Sequence, residues 1–491
     1  MGEGRITQYE DLARRMIELI ASGAYKRGER LPSIRDLAAD FRVSVNTVRD
    51  AYSLLERGRY VEAVPQRGYF VSNRETVAPI QAQDPSSMNP GSFSICSIYS
   101  ALQKGGAVDE DASGLAIATL SRRLWPTERL QKHAVDAVRL RPVDAFDYQM
   151  SPGYGLLREQ IAIHGLTSGT RLLPENIVVT SGCQEALYLA LSAVVSPGDT
   201  VAIESPVYFN LLDMLARLGV RVLEIPCSPE EGMSLEALSF ALDQYAVSAV
   251  LTIANFNNPT GSCMPEAKKS ALVGLLSARG IPLIEDDVYG DLHFGADGSD
   301  RPITCKSFDR DGTVLYCSSF SKTLSPGLRI GWIEPGRWRA GVEKLKTLMN
   351  LGASSLAQVT VALYLQEGGF PRHLRKLRST LAESVASMRA SVLDHFPGGT
   401  TVTDPPGGLV LWVTLPEGAS SMELYRRALA RKIMIAPGRV FSLRDRFESC
   451  FRLNAGVWEP GTDAKIRELG LLARDLPVGT RQGFPESEVV S

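Results

Sequence analysis

Two hydrophobic rhythms run along the chain. Between Thr7 and Ala21 the apolar residues Leu12, Met16, Leu19 and Ile20 recur at helical spacing, and Gly23 supplies a stop. After the turn KRGERLP, Ser33 is placed to cap IRDLAADF, and Ser44 to cap VNTVRDAYSLLERG after a break of only Arg42 and Val43. Tyr60, Val61 and Val64 then lead through Pro65 to Gly68, Tyr69, Phe70 and Val71, an alternation around a turn that predicts a β-hairpin. Helix, tight turn, longer helix and hairpin together predict a winged helix-turn-helix (α+β). Beyond Gly114 short, continuously apolar runs (NIVVT, TVAIE, SAVLTIA, IPLIEDD, TVLYCSSF) alternate with helical patterns. Buried strands between helices predict an α/β body with a largely parallel sheet. Between the two, Thr, Ala, Pro, Gln, Ser and Gly dominate, as in PIQAQDPSSMNPGS, with too little apolar side chain to offset the entropy of ordering. The expected division is a winged helix over 1–74, a linker over 75–113, the body over 114–478 and a disordered tail over 479–491.

Composition narrows the class. At 491 residues and 44% apolar content the chain supports two or three units with real cores. No apolar run approaches the roughly 20 residues that span a bilayer. The start MGEGRITQYEDLARR lacks the apolar block of a signal peptide. The expectation is a soluble, cytoplasmic protein with no membrane partner. Seven cysteines are scattered without a CxxC pair, which predicts neither a disulfide framework nor a metal site. A net charge of -2 argues against a polyanion-binding surface over the whole protein, so arrangement must carry any nucleic-acid argument. At the start of the second helix of the pair, Ser44, Asn46 and Thr47 are small polar side chains able to reach base edges in a major groove, while Arg35 and Arg49 suit phosphates. A small helical domain that binds another protein would share this patterning.

The chemistry gathers after the predicted strands, where ligands of open α/β sheets bind. NIVVT is followed by Ser181, Gly182, Cys183 and Gln184 and then a helix, a turn that offers backbone amides to a phosphate. SAVLTIANF runs into Asn258 of NNPTG, and IPLIE into Asp286, Asp287 and Tyr289. TVLYCSSF runs into Lys322 of SSFSKTLSPGLRIGW. A lysine flanked by hydroxyls, with an arginine seven residues on, suits an aldimine with pyridoxal 5'-phosphate, its amine made nucleophilic by partial burial. Ser319, Ser321 and Arg329 can meet the phosphate, Arg329 through a bidentate fork. A carboxylate at the pyridine nitrogen strengthens the ring as an electron sink, and the spacing to Tyr289 favours Asp286. Either acidic residue could instead be a solvated loop charge, and Asn258 an ordinary turn residue.

Residues Leu31 to Val71 closely resemble the GntR-type winged helix, with its Pro-Ser-x-Arg, Val-Ser-x-Asn-Thr-Val, Ala-Tyr and Gly-x-Phe-Val landmarks. That resemblance implies double-stranded promoter DNA as partner, with Gly68 in the wing. Gln66 and Arg67 depart from it where many members carry a second glycine. From Ser121 to Leu476 the ordered motifs SGCQ, NNPTG, DDVY and SFSK resemble the fold-type I aminotransferases, with a large and a small lobe. This second resemblance implies Lys322 as the Schiff-base lysine, Asp286 at the pyridine nitrogen, and Asn258 and Tyr289 at the phenolic oxygen. It also implies Tyr208 stacked on the ring, Tyr148 reaching the neighbouring subunit's phosphate, and Arg452 clamping a substrate or effector carboxylate. The two halves on one chain resemble the MocR family of bacterial transcription regulators. The family implies a head-to-tail homodimer whose cofactor body senses a small amine or amino-acid effector. NNPTG keeps the transaminase form, so an amino-acid aminotransferase with an accessory head is the alternative, and a regulator answering to the cofactor alone is a third reading.

Overall fold

A computed structural model describes residues 8–21, 24–26, 28–57, 60–64, 67–71, 114–295, 301–444 and 446–477. The linker expected over 75–113 and the tail expected over 479–491 lie outside these residues. The chain divides into two compact units, Met1–Thr76 and Val77–Ser491.

In the first unit, α1 (Gln8–Ala21), α2 (Ile34–Asp40) and α3 (Val45–Arg57) precede a hairpin of β1 (Val61–Val64) and β2 (Gly68–Val71). The helical periodicity has a simple outcome: Leu12 and Met16 of α1 meet Leu37 of α2, Val48, Tyr52 and Leu55 of α3, and Val61 and Val71 of the hairpin in one core. Both expected caps form. Ser33 Oγ accepts from the amide of Asp36 at 3.2 Å and Ser44 Oγ from that of Thr47 at 3.0 Å, each satisfying a backbone donor that the first helical turn leaves unpaired. The break between α2 and α3 turns on Arg42, held at φ 52°, a left-handed conformation more usual for glycine. Arg30 pairs with Phe70 in an isolated antiparallel bridge beside the hairpin.

The second unit has two lobes. The larger is an eight-stranded sheet in the order β3-β10-β9-β8-β7-β4-β5-β6. These strands are β3 (Val178–Thr180), β4 (Thr200–Ser205), β5 (Arg221–Ser228), β6 (Gly232–Met233), β7 (Ala249–Thr252), β8 (Leu283–Asp286), β9 (Val314–Ser319) and β10 (Gly331–Glu334). Pairing is parallel from β5 through β4, β7 and β8 to β9, as the continuously apolar runs require of strands covered on both faces. The exception near the site is β10, which runs antiparallel to both β3 and β9 and makes the sheet mixed. Its four residues were too short a run to declare a direction. The smaller lobe is a four-stranded antiparallel sheet, β11 (Thr401–Val402), β12 (Val410–Thr414), β13 (Ala436–Pro437) and β14 (Cys450–Asn454). The helix Phe370–His395 joins the lobes: Leu374, Leu377 and Leu381 pack into the large core, and Val385, Met388 and Val392 into the small one. No helix of the described residues is long and apolar enough to cross a membrane.

Candidate functional site

Five chain segments meet at the carboxyl ends of β3, β4, β7, β8 and β9 around a cavity of about 270 Å³. At one end the turn after β3 enters the helix Cys183–Val194 through Gly182 at φ 84°. A Cβ there would overlap the guanidinium of Arg329, so only glycine lets the arginine lie against the turn. Arg329 itself is left-handed at φ 51°, a conformation that costs an arginine about 1 kcal/mol and persists because its surroundings hold it. Its guanidinium donates to Ser181 O at 3.0 Å and to Ser321 Oγ and Pro326 O at 3.3 Å. Ser319 Oγ accepts from the Ser321 amide at 3.3 Å and shapes the turn into Lys322. Below the cup, Glu185 takes the Ser181 amide and is itself held by buried Lys346 at 2.9 Å and Asn350 at 2.7 Å. Helix N-terminus, hydroxyls and arginine together form a cradle for a dianion.

The adjacent carboxylates of DDVY have opposite fates. Asp286 lines the cavity, and its two hydrogen bonds, from Cys183 Sγ at 3.5 Å and the Val288 amide at 3.3 Å, both fall on Oδ1. Burial pushes its pKa up to about 7 against the lowering effect of those donors. A cation placed beside it would be welcome. Asp287 instead is spent inside the protein, accepting from Arg301 at 2.6 Å and from Asn255 and Tyr316 at 2.9 Å. Of the two, only Asp286, the carboxylate the spacing to Tyr289 favours, lines the cavity.

Across the cavity, Asn258 Nδ2 donates to the Tyr289 hydroxyl at 3.2 Å while its Oδ1 accepts from Arg452 Nη1 at 2.7 Å. Burial holds the Tyr289 phenol well above its ordinary range. Lys322 Nζ donates to Ala118 O at 2.6 Å and lies 6.0 Å from the centre of the Tyr289 ring. Burial, reinforced by the charge of Arg452, lowers the Lys322 pKa to about 8. Tyr208 and Gln184 complete the wall, and burial raises the Tyr208 phenol to about 12. Arg452, on β14, is 1% exposed, with its guanidinium carbon 5.2 Å from the Phe441 ring and 5.7 Å from that of Phe209. Desolvation lowers its pKa to about 10. Tyr148 is the residue the fold does not bring in: it is 75% exposed and lines a separate surface recess with Phe146, Asn350 and Ser355.

Two contributors are absent from the expected site residues. Glu204, at the end of β4 and fully buried, accepts from Thr252 Oγ1, the Ile253 amide and Asn257 Nδ2, all at 2.8 Å, and so fixes the loop that presents Asn258. Burial lifts its pKa to about 7. An acid in a strand of apolar residues was the available hint. The carbonyls of Ala116 and Ala118, which reach Arg452 and Lys322, carried none.

In the winged helix, Arg35, Ser44, Asn46, Arg49 and Gly68 are exposed and Thr47 partly so. Ser44 and Thr47 share a hydroxyl hydrogen bond of 2.8 Å, and Arg49 Nη1 lies 3.4 Å from Asn46 Oδ1. Gly68, at φ 103°, lets the Arg30 guanidinium pass close by, and Arg67 stands 5.9 Å over the Phe70 ring. Among the described residues no His, Cys, Asp and Glu cluster could hold a metal ion, and the six described cysteines are unpaired.

A two-lobed mixed-sheet fold with a lysine, an aspartate and an anion cradle around one cavity is that of the fold-type I aminotransferases, which use pyridoxal phosphate. The family model for class I and II aminotransferases matches residues 121–469, and that for the gntR family of bacterial regulatory proteins matches residues 8–71. The chain therefore belongs to the class I and II aminotransferase family in its MocR-type form, with a GntR winged helix in front. It is 36% identical to the uncharacterized HTH-type transcriptional regulator YjiR of Escherichia coli, over 92% of this chain and 95% of the relative. It is 35% identical to the uncharacterized HTH-type regulator YdcR of the same organism, over 95% and 99%. Among solved structures, the kynurenine aminotransferase of Pyrococcus horikoshii, in complex with PMP, superposes with a TM-score of 0.72 at 28% identity, covering 78% of this chain and 95% of that one. The α-aminoadipate aminotransferase LysN of Thermus thermophilus, complexed with N-(5'-phosphopyridoxyl)-L-leucine, gives 0.69 at 29%, covering 77% and 98%.

Proposed function

We propose that the protein is a pyridoxal-phosphate-dependent transcriptional regulator of the cytoplasm. Its winged helix grips promoter DNA, and its body senses the cofactor, a small amine or an amino acid. The observation that carries this reading is the convergence, on one cavity of a chain with a winged helix, of Lys322, Asp286, the Asn258 and Tyr289 pair and the Arg329 cradle. These residues fit the cofactor group by group. The cup at Gly182, Cys183 and Gln184 with Ser319, Ser321 and Arg329 suits its phosphate, Asp286 its ring nitrogen, and Asn258 with Tyr289 its phenolic oxygen. Tyr208, which lines the cavity, would cover the ring face. When bound, the cofactor supplies an aldehyde that captures amines and a ring that withdraws electrons.

The protein's own part is to hold charge and move it. Lys322, with its pKa at about 8, is neutral often enough at pH 7 to act as nucleophile. Asp286 gains a cationic partner. Arg452 offers a planar fork to a ligand carboxylate. In the winged helix, Ser44, Asn46 and Thr47 face base edges and Arg35 and Arg49 phosphates. The DNA-binding unit spans 1–74 and the body 114–478. The working form is a homodimer, supported by the exposed Leu140, Val143, Phe146 and Tyr148 along one stretch of the body. A head-to-tail arrangement would deliver Tyr148 to the partner's phosphate. A ligand that favours one arrangement of the body shifts operator affinity by its differential binding energy.

A second reading is favoured by the intact Asn258 and by the presence of every polar group around the cavity: a working amino-acid aminotransferase with an accessory head. Spectroscopy and promoter binding decide. The wild type should take up pyridoxal phosphate with a visible absorbance band that Lys322→Ala lacks, and should bind its own upstream DNA with an affinity that changes when amino acids are added. Steady turnover of an amino donor and a keto acceptor without promoter binding would select the enzyme, and a band that survives in Lys322→Ala would reject the assignment of the lysine.

A further inference from the structure

Two cationic side chains of the site are also held by backbone from the start of the body. Residues 114–119 run beside Arg452 and Lys322 as a strap whose carbonyls make the contacts: Ala116 O accepts from Arg452 Nη2, and Ala118 O accepts from Lys322 Nζ at 2.6 Å. Two carbonyls two residues apart thus rest on the group suited to a ligand's carboxylate and on the group that would meet its amine. One side chain holds both ends of the strap. Asn454 is fully buried on β14, two residues after Arg452, and its Nδ2 donates to Gly114 O at 3.0 Å and to Thr119 O at 2.9 Å. Its Oδ1 accepts from the Gly456 amide at 3.0 Å, and its own amide donates to Leu115 O at 2.9 Å. Both Nδ2 protons are therefore spent on strap carbonyls.

The strap's hold on Arg452 is weaker than what could replace it. Ala116 O is a neutral acceptor at one nitrogen, and the buried Nε of Arg452 has no partner among the described residues. A carboxylate meeting the same fork is charged and can be bidentate, and such bonds are roughly twice as strong as neutral ones. We propose that Asn454 is a positioning residue that staples Gly114–Thr119 across the ligand site, and that the strap is a backbone occupant which an amino acid's carboxylate displaces from Arg452. This deepens the functional reading and rests on its placing of a ligand carboxylate at Arg452. Affinity for an amino acid is then reduced by the cost of lifting the strap, as for any ligand whose competent state is only partly populated. An amine without a carboxylate leaves the strap where it is.

The test uses the full-length chain loaded with pyridoxal phosphate and two hydroxylamines, aminooxyacetate and methoxyamine. Each takes the place of Lys322 on the cofactor's aldehyde carbon through its aminooxy nitrogen and releases the lysine as an amine, without net oxidation, so loss of the visible band reads binding. Only aminooxyacetate carries a carboxylate. In the wild type it should speed hydrogen exchange of the Asn454 and Ser121 amides, which are bonded to Leu115 O and Gly456 O while the strap is seated, and methoxyamine should not. Asn454→Ala should lower the half-saturating concentration of aminooxyacetate about tenfold, the worth of one to two hydrogen bonds, and leave that of methoxyamine within about twofold. Exchange that slows or stays unchanged with aminooxyacetate, or weaker aminooxyacetate binding by Asn454→Ala, overturns the proposal. If the variant does not fold, the wild-type exchange alone decides. A wild type without a visible band would sink the functional reading instead, and exchange at Asn454 with propionate, which needs only Arg452, would still decide the strap.

Discussion

The polar residues of the winged helix and those of the body live under opposite constraints. Around the cavity Asn258, Asp286, Tyr289 and Arg452 are each at most 5% exposed and each is bonded to another of the protein's own groups. In the head Arg35, Asn46 and Arg49 stand in water, and the side-chain hydrogen bonds near them tie Ser33 to Asp36 and Ser44 to Thr47 rather than to the core. A buried polar group left unpaired costs about 1–3 kcal/mol, so the body must arrange its site before any ligand arrives. The head has no such obligation and can leave its donors to be ordered by a duplex. Substitutions in the body should therefore act sharply and through neighbours, and those in the head gradually and one contact at a time.

The largest expected break in that contrast is Arg452→Lys. A point charge cannot reproduce the fork that meets Asn258 and a ligand carboxylate, and the loss should be about 2 kcal/mol, close to thirtyfold, in amino-acid affinity read by spectral titration. A matched amine without the carboxylate should be nearly unaffected. Comparable losses for both ligands would mean that the substitution had disturbed the cavity as a whole. The next effect is one of pH. Lys322 is protonated below its pKa of about 8 and only the neutral amine attacks an aldehyde, so the rate of cofactor uptake should rise about tenfold per unit below that value and level off above it. A rate flat between pH 6 and about 9 would place the amine's titration elsewhere. The smallest effects belong to the head. Ser44→Ala removes the cap of α3 and should cost about 1 kcal/mol of stability in thermal melts. Arg49→Ala should leave stability within about 0.5 kcal/mol, weaken promoter binding across sequences, and reduce the salt slope by about 1. Should Arg49→Ala destabilise the fold as much as Ser44→Ala, the head would be as interlocked as the body.

What could be read from the sequence follows the same division. The helices, both N-caps, the hairpin and the five buried strand runs were legible because period, cap chemistry and strand composition are local. The positions of SGCQ, NNPTG, DDVY and SFSK were legible because sheets of this kind place ligands at strand ends. Three things were not. The spacing to Tyr289 favours Asp286, but what occupies Asp287 does not show in the sequence: Arg301, Asn255 and Tyr316 claim that carboxylate from up to 32 residues away. The role of Glu204, an acid among apolar strand residues, depends on a loop 53 residues further on. The contacts of Ala116 and Ala118 are made by backbone, which every residue carries, and span separations of 336 and 204 residues.

The strap's place in chain order gives it a reach beyond the cavity. It is the first described stretch after the winged helix in chain order, and six residues freed from it, 114–119, would reach about 20 Å at full extension. Changing the length of a tether changes the local concentration of whatever is tied to its end. A compound small enough to sit on one arginine would then be felt as slack in a line that ends on DNA.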